Sequence, residues 1–377
     1  MSDEPRLYGY ANASADNQVT TSGRPGARRP RTPTFGQRHG TVPWGNVVPE
    51  GFSSRPIELR FQPVENGMDY LLSVSECLAD EPTPRELKYA VLHLQAAVEV
   101  LLKARLAGEH WALVFDKIEN ASREKFVKGD FRSCSTPEAL KRLEVIAGLD
   151  LGVSGGIEND LKQLVKWRNA LQHYGLTEPA PAVEKISANI LDFLLTFVHD
   201  HLRPSLAAED LQVLNRQIGL VGDGLAQIKR FLSTRWNRLR GELTPLLDDT
   251  VACPLCQQEA LLLGVKAPPC RFCLVIWPNG EEAAFTYVET VLNLDVAKVF
   301  HDNGASLVNE CPNCSADALV SGIKMASGRQ VTHLCFQCGV KFGELEPCWD
   351  CGLPYTLDVD SNGQCKKCGG VGKGVPF

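Results

Sequence analysis

Residues 84–106 read PRELKYAVLHLQAAVEVLLKARL. Leu87, Ala90, Val91, Leu94, Val98, Leu101 and Leu102 recur there at steps of three and four, the period that lines one face of an α-helix. Pro82 and Pro84 stand at its entry, where a proline is tolerated. The same period continues outward. Ile157, Leu161, Leu164, Val165, Arg168 and Leu171 trace a second stripe, with Gly175 as its expected stop. After Pro179 and Pro181, a third runs through Val183, Ile186, Ile190, Leu194, Phe197 and Val198. Between them, Asp130–Thr136 reads as a loop, Thr136-Pro137 as the start of a short helix, and Leu151–Gly156 as a break. No strand alternation competes, so residues 65–205 are expected to form an all-α helical bundle.

The cysteines divide the chain. Fourteen are present, and twelve lie after residue 250 as six C-x-x-C pairs. Three four-cysteine sets follow if the pairs associate in order: Cys253, Cys256, Cys270 and Cys273; Cys311, Cys314, Cys335 and Cys338; Cys348, Cys351, Cys365 and Cys368. Two residues between thiols suit a tight turn that aims both sulfurs at one tetrahedral ion. One such pair could be a redox motif, but six in succession point to about three structural Zn²⁺. Iron would take the same spacing, and interleaved pairing would use the same residues. Four thiolates leave no open coordination position, so no catalytic metal is expected. Cys77 and Cys134 stand apart. The second half of the chain is therefore expected to be small β-rich zinc ribbons at 250–277, 308–342 and 345–372. A linker at 278–306 carries a predicted helix around Val288–His301.

The remaining segments are a tail and a connector. Residues 1–55 are poor in apolar side chains and read as a disordered tail, basic through Arg24, Arg28, Arg29, Arg31 and Arg38. Residues 206–247 read as a helical connector. Its run from Gln227 to Leu243 sets Lys229, Arg230, Arg235, Arg238 and Arg240 around Phe231 and Trp236. It suits either a solvated face or a nucleic-acid helix.

At 377 residues the chain is long enough for two or three domains of roughly 100–200 residues. The formal charge of −6 excludes a generally basic nucleic-acid coat. Twelve thiolates with three Zn²⁺ subtract six more charges, taking the loaded chain to about −12. Any contact between ribbon and nucleic acid must then rest on local cations such as Lys366, Lys367 and Lys373. No window is apolar enough for a membrane span, and the first residues lack the basic and apolar regions of a secretory signal. A reducing cytoplasm is the expected compartment.

The segment Lys166-Trp167-Arg168-Asn169-Ala170-Leu171-Gln172-His173-Tyr174-Gly175 carries chemistry. Arginine stays charged and can bond two phosphate oxygens, while histidine titrates near neutrality and can act as acid or base. Together with Glu99 in the first long helix, R-N-x-x-x-H near a helix end resembles the HEPN superfamily over residues 65–205. The resemblance implies a helical bundle that dimerises so that two such motifs face one cleft. It implies metal-independent RNA cleavage by Arg168, Asn169 and His173, with Glu99 either polarising a side chain of the site or simply pairing with Lys103 at i, i+4. It also implies a role in toxin–antitoxin systems, phage defence or RNA processing, with RNA and an antitoxin or other protein as partners. A non-catalytic HEPN scaffold, whose ribbons bind protein or nucleic acid, is the competing expectation. One departure from the family pattern stands out. Some members carry a modifiable tyrosine two residues past the histidine, where this chain has Gly175 and places Tyr174 one residue early.

Overall fold

The computed structural model describes residues 59–153, 156–294 and 307–350, together with 352, 354, 355 and 368. The basic tail at 1–55 lies outside these residues, as do Cys351, Cys365 and the predicted helix beyond residue 294.

Helix α1 (Pro63–Leu78) and helix α2 (Pro84–Glu109) form a hairpin across a five-residue turn. Thr83 and Glu86 cap α2 reciprocally, the Thr83 N–H donating to Glu86 Oε2 at 2.7 Å and the Glu86 N–H to Thr83 Oγ1 at 3.3 Å. Every apolar residue of the predicted α2 stripe is buried. The two helices touch so closely that a Cβ at Gly67 would lie 2.6 Å from the Leu101 side chain. Short helices α3 (Arg123–Lys128) and α4 (Thr136–Val145) follow, the latter capped by Ser135. Helices α5 (Gly156–His173) and α6 (Ala180–Phe197) pack against α2 and each other, and α6 runs into a π-helical turn, Val198–Leu202.

On α5, Leu161 and Leu164 are buried as expected, but the deepest anchor near the motif is Trp167. Its indole N–H donates to Glu178 Oε1 at 3.0 Å. Gly175 follows the helix without the left-handed φ of a glycine cap.

The segment read as a connector is packed into the helical body. Helix α7 (Ala208–Leu225) lies along α1, and helix α8 (Lys229–Leu243) lies along α6. A Cβ at Gly224 would meet Ser75 Oγ at 2.5 Å, so α7 needs glycine where it crosses α1. The physical reason for the docking is burial: Leu214, Ile218, Val221 and Leu225 on α7, and Phe231 and Leu239 on α8, are all shielded from water.

Strands begin at residue 250. β1 (Thr250–Val251) pairs antiparallel with β2 (Leu261–Leu262). Next comes helix α9 (Gly280–Thr290), capped by Asn279 and burying Ala283, Ala284, Tyr287 and Val288. It starts eight residues before the predicted Val288–His301 helix. Asn279 with Glu281 and Glu282 supplies its start signal. An antiparallel sheet follows in the order β3 (Val308–Glu310), β4 (Asp317–Lys324), β5 (Gln330–Cys335) and β6 (Lys341–Phe342), with α9 packed on β4. The short pair β7 (Glu346–Pro347) and β8 (Pro354–Tyr355) comes last. Among the described residues, one apolar core runs from the helices into the first two ribbons.

Candidate functional site

Among the described residues, two four-cysteine centres are assembled, and both pair in sequence order. At site 1, Cys253, Cys256, Cys270 and Cys273 bring their sulfurs within 4.8 Å of one another, and all four residues are buried. At site 2, Cys311, Cys314, Cys335 and Cys338 do the same, but Cys314 is exposed and Cys338 half-buried. Close sulfur pairs are 3.9 Å (Cys253–Cys273) and 3.7 Å (Cys256–Cys270) at site 1. At site 2 they are 3.8 Å (Cys311–Cys338) and 3.7 Å (Cys314–Cys335). A tetrahedron with metal–sulfur bonds of about 2.3 Å has edges of about 3.8 Å. The donor set and its spacing therefore fit a tetrahedral thiolate metal, and a disulfide at about 2.0 Å is far shorter than any of these pairs.

The backbone explains how the sulfurs converge. Gln257, Leu274, Ser315 and Gly339 each follow the second cysteine of a pair, and each has a left-handed φ, between 58° and 71°. Their amides donate to the carbonyl of the first cysteine at 2.8–3.0 Å. Three of the five non-glycine left-handed residues among those described stand at these turns. A left-handed conformation costs a non-glycine residue roughly 1–2 kcal/mol, so the turn is held by what the cysteines bind or pack against. The third region repeats the turn: Gly352 has φ 74°, and its amide donates to Cys348 O at 2.7 Å. Cys348 is buried with Cys368 packed against it.

Four thiols this close cannot all ionise unaided. At site 1, hydrogen bonds from Cys256, Cys270 and Cys273 favour a thiolate on Cys253, while burial pushes Cys270 up and hydrogen bonds with Cys253 and Cys256 raise Cys273. At site 2, burial takes Cys311 up to about 11. A divalent cation reverses this logic by holding all four as thiolates.

Site 1 is embedded in the helices. Phe231 and Trp236 of α8 each place a ring 5.7 Å from Phe272, which lies between Cys270 and Cys273. Trp236 donates to Gln258 Oε1 at 2.9 Å, and Arg271 pairs with Glu242. Arg235 is 1 % exposed and bonds the carbonyls of Phe272 and Arg271 at 3.2 and 2.9 Å. It also donates to Asp192 Oδ1 at 2.9 Å, while Arg238 takes Oδ2 at 2.7 Å. Of the basic run on α8, Arg235 is therefore buried and Arg238 is tied to Asp192 from the exposed side, while Lys229, Arg230 and Arg240 face solvent. Arg235's burial is not written in its local sequence, because a basic amphipathic helix looks the same whichever single arginine turns inward. Cys77 and Cys134 belong to neither centre, and burial raises both thiols.

The arginine–histidine motif ends α5. Arg168 is half-buried, and its Nη1 donates to Asn169 Oδ1 at 3.0 Å. Glu99 on α2 interacts electrostatically with Arg168. It accepts a hydrogen bond from Gln95 Nε2 at 3.0 Å and pairs with Lys103, whose Nζ also reaches Ser133 Oγ at 2.8 Å. Burial works against the Glu99 carboxylate, but the hydrogen bonds from Lys103 and Gln95 and the two nearby cations outweigh it and hold its pKa low. Arg168, Asn169 and Glu99 are thus brought together. His173 stands five residues on, exposed, as are Gln172 and Tyr174. Residues five apart point about 140° from each other on a regular helix, so within one chain His173 does not share Arg168's seam. Lys103 is the i+4 partner that spacing offers Glu99, whereas Ser133 joins the cluster from the loop before α4 with no local signal to announce it.

No protein-family model, curated protein or solved structure matches the chain. Among the described residues, no helix is long and apolar enough to cross a membrane.

Proposed function

We propose that the helical body is a metal-independent endoribonuclease of the HEPN type, acting as a homodimer on RNA. Its cysteine centres bind three structural zinc ions and serve substrate or partner recognition. Arg168 is the phosphate ligand and His173 the proton-transfer group, with Asn169 orienting either one. Glu99 is a positioning residue that aligns Arg168. The reaction is transesterification: the 2′-oxygen attacks phosphorus as a base takes its proton, and the 5′-oxygen departs with a proton from an acid. The products are a 2′,3′-cyclic phosphate and a 5′-hydroxyl, and no metal is needed. The dimer supplies what one chain lacks, because a second α5 end can set its His173 opposite Arg168. A reducing cytoplasm, which keeps thiols available for metal, is the compartment this reading requires.

One observation carries the reading. The Arg168 charge helps Lys103 and Gln95 favour the Glu99 carboxylate, while Asn169 and His173 of the same helix end are open to water. The competing reading is a scaffold. It is favoured by Arg168 already having partners, in the Asn169 side chain and the Glu99 charge.

Incubation of wild type and His173→Ala with mixed cellular RNA in EDTA separates the two. Cleavage by wild type alone, leaving cyclic phosphate ends, is the expected result. Equal cleavage by His173→Ala removes the histidine from the mechanism, and no cleavage by either protein favours the scaffold.

A further inference from the structure

We infer that Arg203 and Arg235 are outer-sphere cations of site 1, placed to balance a dianionic metal–tetrathiolate, and that they make site 1 the slow-exchanging centre while site 2 exchanges first. The inference rests on reading both cysteine sets as metal centres.

The two arginines come from different parts of the helical body and converge on one five-residue loop. Arg235, on α8, bonds the carbonyls of Arg271 and Phe272, the two residues between ligands Cys270 and Cys273. Arg203 follows the π-helical turn at the end of α6. Its Nη2 reaches Leu274 O, directly after Cys273, at 3.3 Å, and Asn215 Oδ1 on α7 at 3.0 Å. Helix α7 closes the same loop from another side, where a Cβ at Gly222 would lie 2.9 Å from Cys273 Cβ.

Charge is what this arrangement lacks. A buried guanidinium is costly unless a counter-charge accompanies it. Arg235 has Asp192, but Arg238 draws on the same carboxylate. Arg203 forms no ion pair with a carboxylate among the described residues. Its Nε and Nη1 are buried without a hydrogen-bond partner, and burial depresses its pKa. With the Arg271–Glu242 pair of the loop itself included, four guanidiniums and two carboxylates leave two positive charges around the loop. Four thiolates on one divalent ion carry two negative charges. The loaded centre thus supplies the charge that the arginines lack, whereas four protonated thiols would supply none.

Site 2 is built differently. Among the described residues, no guanidinium bonds its cysteine turns, and the side-chain donor to its sulfurs is Asn313 Nδ2, 3.6 Å from Cys338 Sγ. Cys314 is open to solvent, which gives a chelator or electrophile an approach that site 1 denies.

The test is residue-resolved. Zinc-loaded full-length protein is exposed to EDTA and N-ethylmaleimide, and labelling at each cysteine is followed by peptide mass spectrometry. Cys311, Cys314, Cys335 and Cys338 should label first in wild type. Arg203→Gln should speed labelling of Cys253, Cys256, Cys270 and Cys273 by about tenfold, within the range outer-sphere partners usually command. Site 2 should not change, and Arg203→Lys, which keeps the charge, should stay close to wild type. Cys134, buried in the helical body, is the internal control. Unchanged site 1 labelling in Arg203→Gln overturns the inference, and so does Lys behaving like Gln. Faster Cys134 labelling in Arg203→Gln also overturns it, because the arginine would then act on folding rather than on the centre. Zinc content before chelation tests the metal reading separately: zinc bound with no effect of Arg203→Gln sinks only the inference, and no zinc sinks both.

Discussion

Arg235 Nη1 lies 2.9 Å from Asp192 Oδ1 in a pair that is 1 % and 10 % exposed. It joins α6 to α8, and the other guanidinium nitrogens of Arg235 hold the loop of site 1. Removing one partner of such a pair leaves a buried charge alone, which costs about 3–5 kcal/mol. Asp192→Asn is therefore expected to lower stability by that order, read as a drop in the urea midpoint at constant slope. Arg238→Ala, the same carboxylate's more exposed partner, should cost clearly less. Equal losses from the two variants would show that Arg235 is not the strut.

The left-handed turns of the cysteine pairs predict a stabilising change. Ser315 is exposed, has φ 60°, and occupies the position that Gly339 fills in the other half of site 2. Glycine removes the Cβ penalty there, at some cost in unfolded-state entropy. Ser315→Gly is expected to stabilise the loaded protein by about 0.5–1 kcal/mol. Differential scanning calorimetry reads this as a higher melting temperature. A lower one would mean that the serine side chain contributes something the turn needs.

Where the sequence was legible, the reason is locality. A C-x-x-C turn forms within five residues, and two of the three predicted four-cysteine sets are assembled in the order their spacing suggests. The apolar stripes of α2, α5 and α6 were likewise legible, because helical period is written in neighbouring residues. What stayed hidden depends on which face meets which neighbour. Arg235 and Arg238 looked alike on α8 until Asp192, more than forty residues earlier, took both. Trp167 is the core anchor beside Arg168, but the i, i+3, i+4 stripe passes one residue to its side. The docking of site 1 into the bundle rests on Phe272, Gly222 and Arg203, and no local spacing connects them.

Glu99 provides a pH test of the motif cluster. Its pKa in the folded chain is held below the ordinary value of about 4.3 by Lys103, Gln95 and the Arg168 charge, against the effect of burial. The unfolded chain thus takes up this proton first as pH falls. The stabilisation is fully present above about pH 4.3 and is lost as pH drops through the lower folded value. The stability advantage of wild type over Glu99→Gln should therefore shrink on going from pH 5 to pH 3. Chemical denaturation across that window measures it. A difference that stays constant with pH would mean the carboxylate is not engaged by its charged neighbours.

Metal removal tests whether the helices and the cysteine centres stand alone. Phe231, Trp236 and Arg235 of α8 all rest on the Cys270–Cys273 loop, and Gly222 of α7 touches Cys273. A ligand present at a thousand times its dissociation constant adds about 4 kcal/mol to the folded state. Chelation should remove a term of that order from the helical body as well as from the sheet. The expected result is a fall in the melting temperature read at 222 nm, where the helices dominate, together with a change in tryptophan emission as Trp236 loses its contact with Gln258. Full-length protein is used throughout, since the apolar faces of α7 and α8 are covered in part by the ribbons. An unmoved helical melt with loss of the sheet alone would mean that the bundle folds independently of the metal and that its contacts with site 1 are only incidental to its stability.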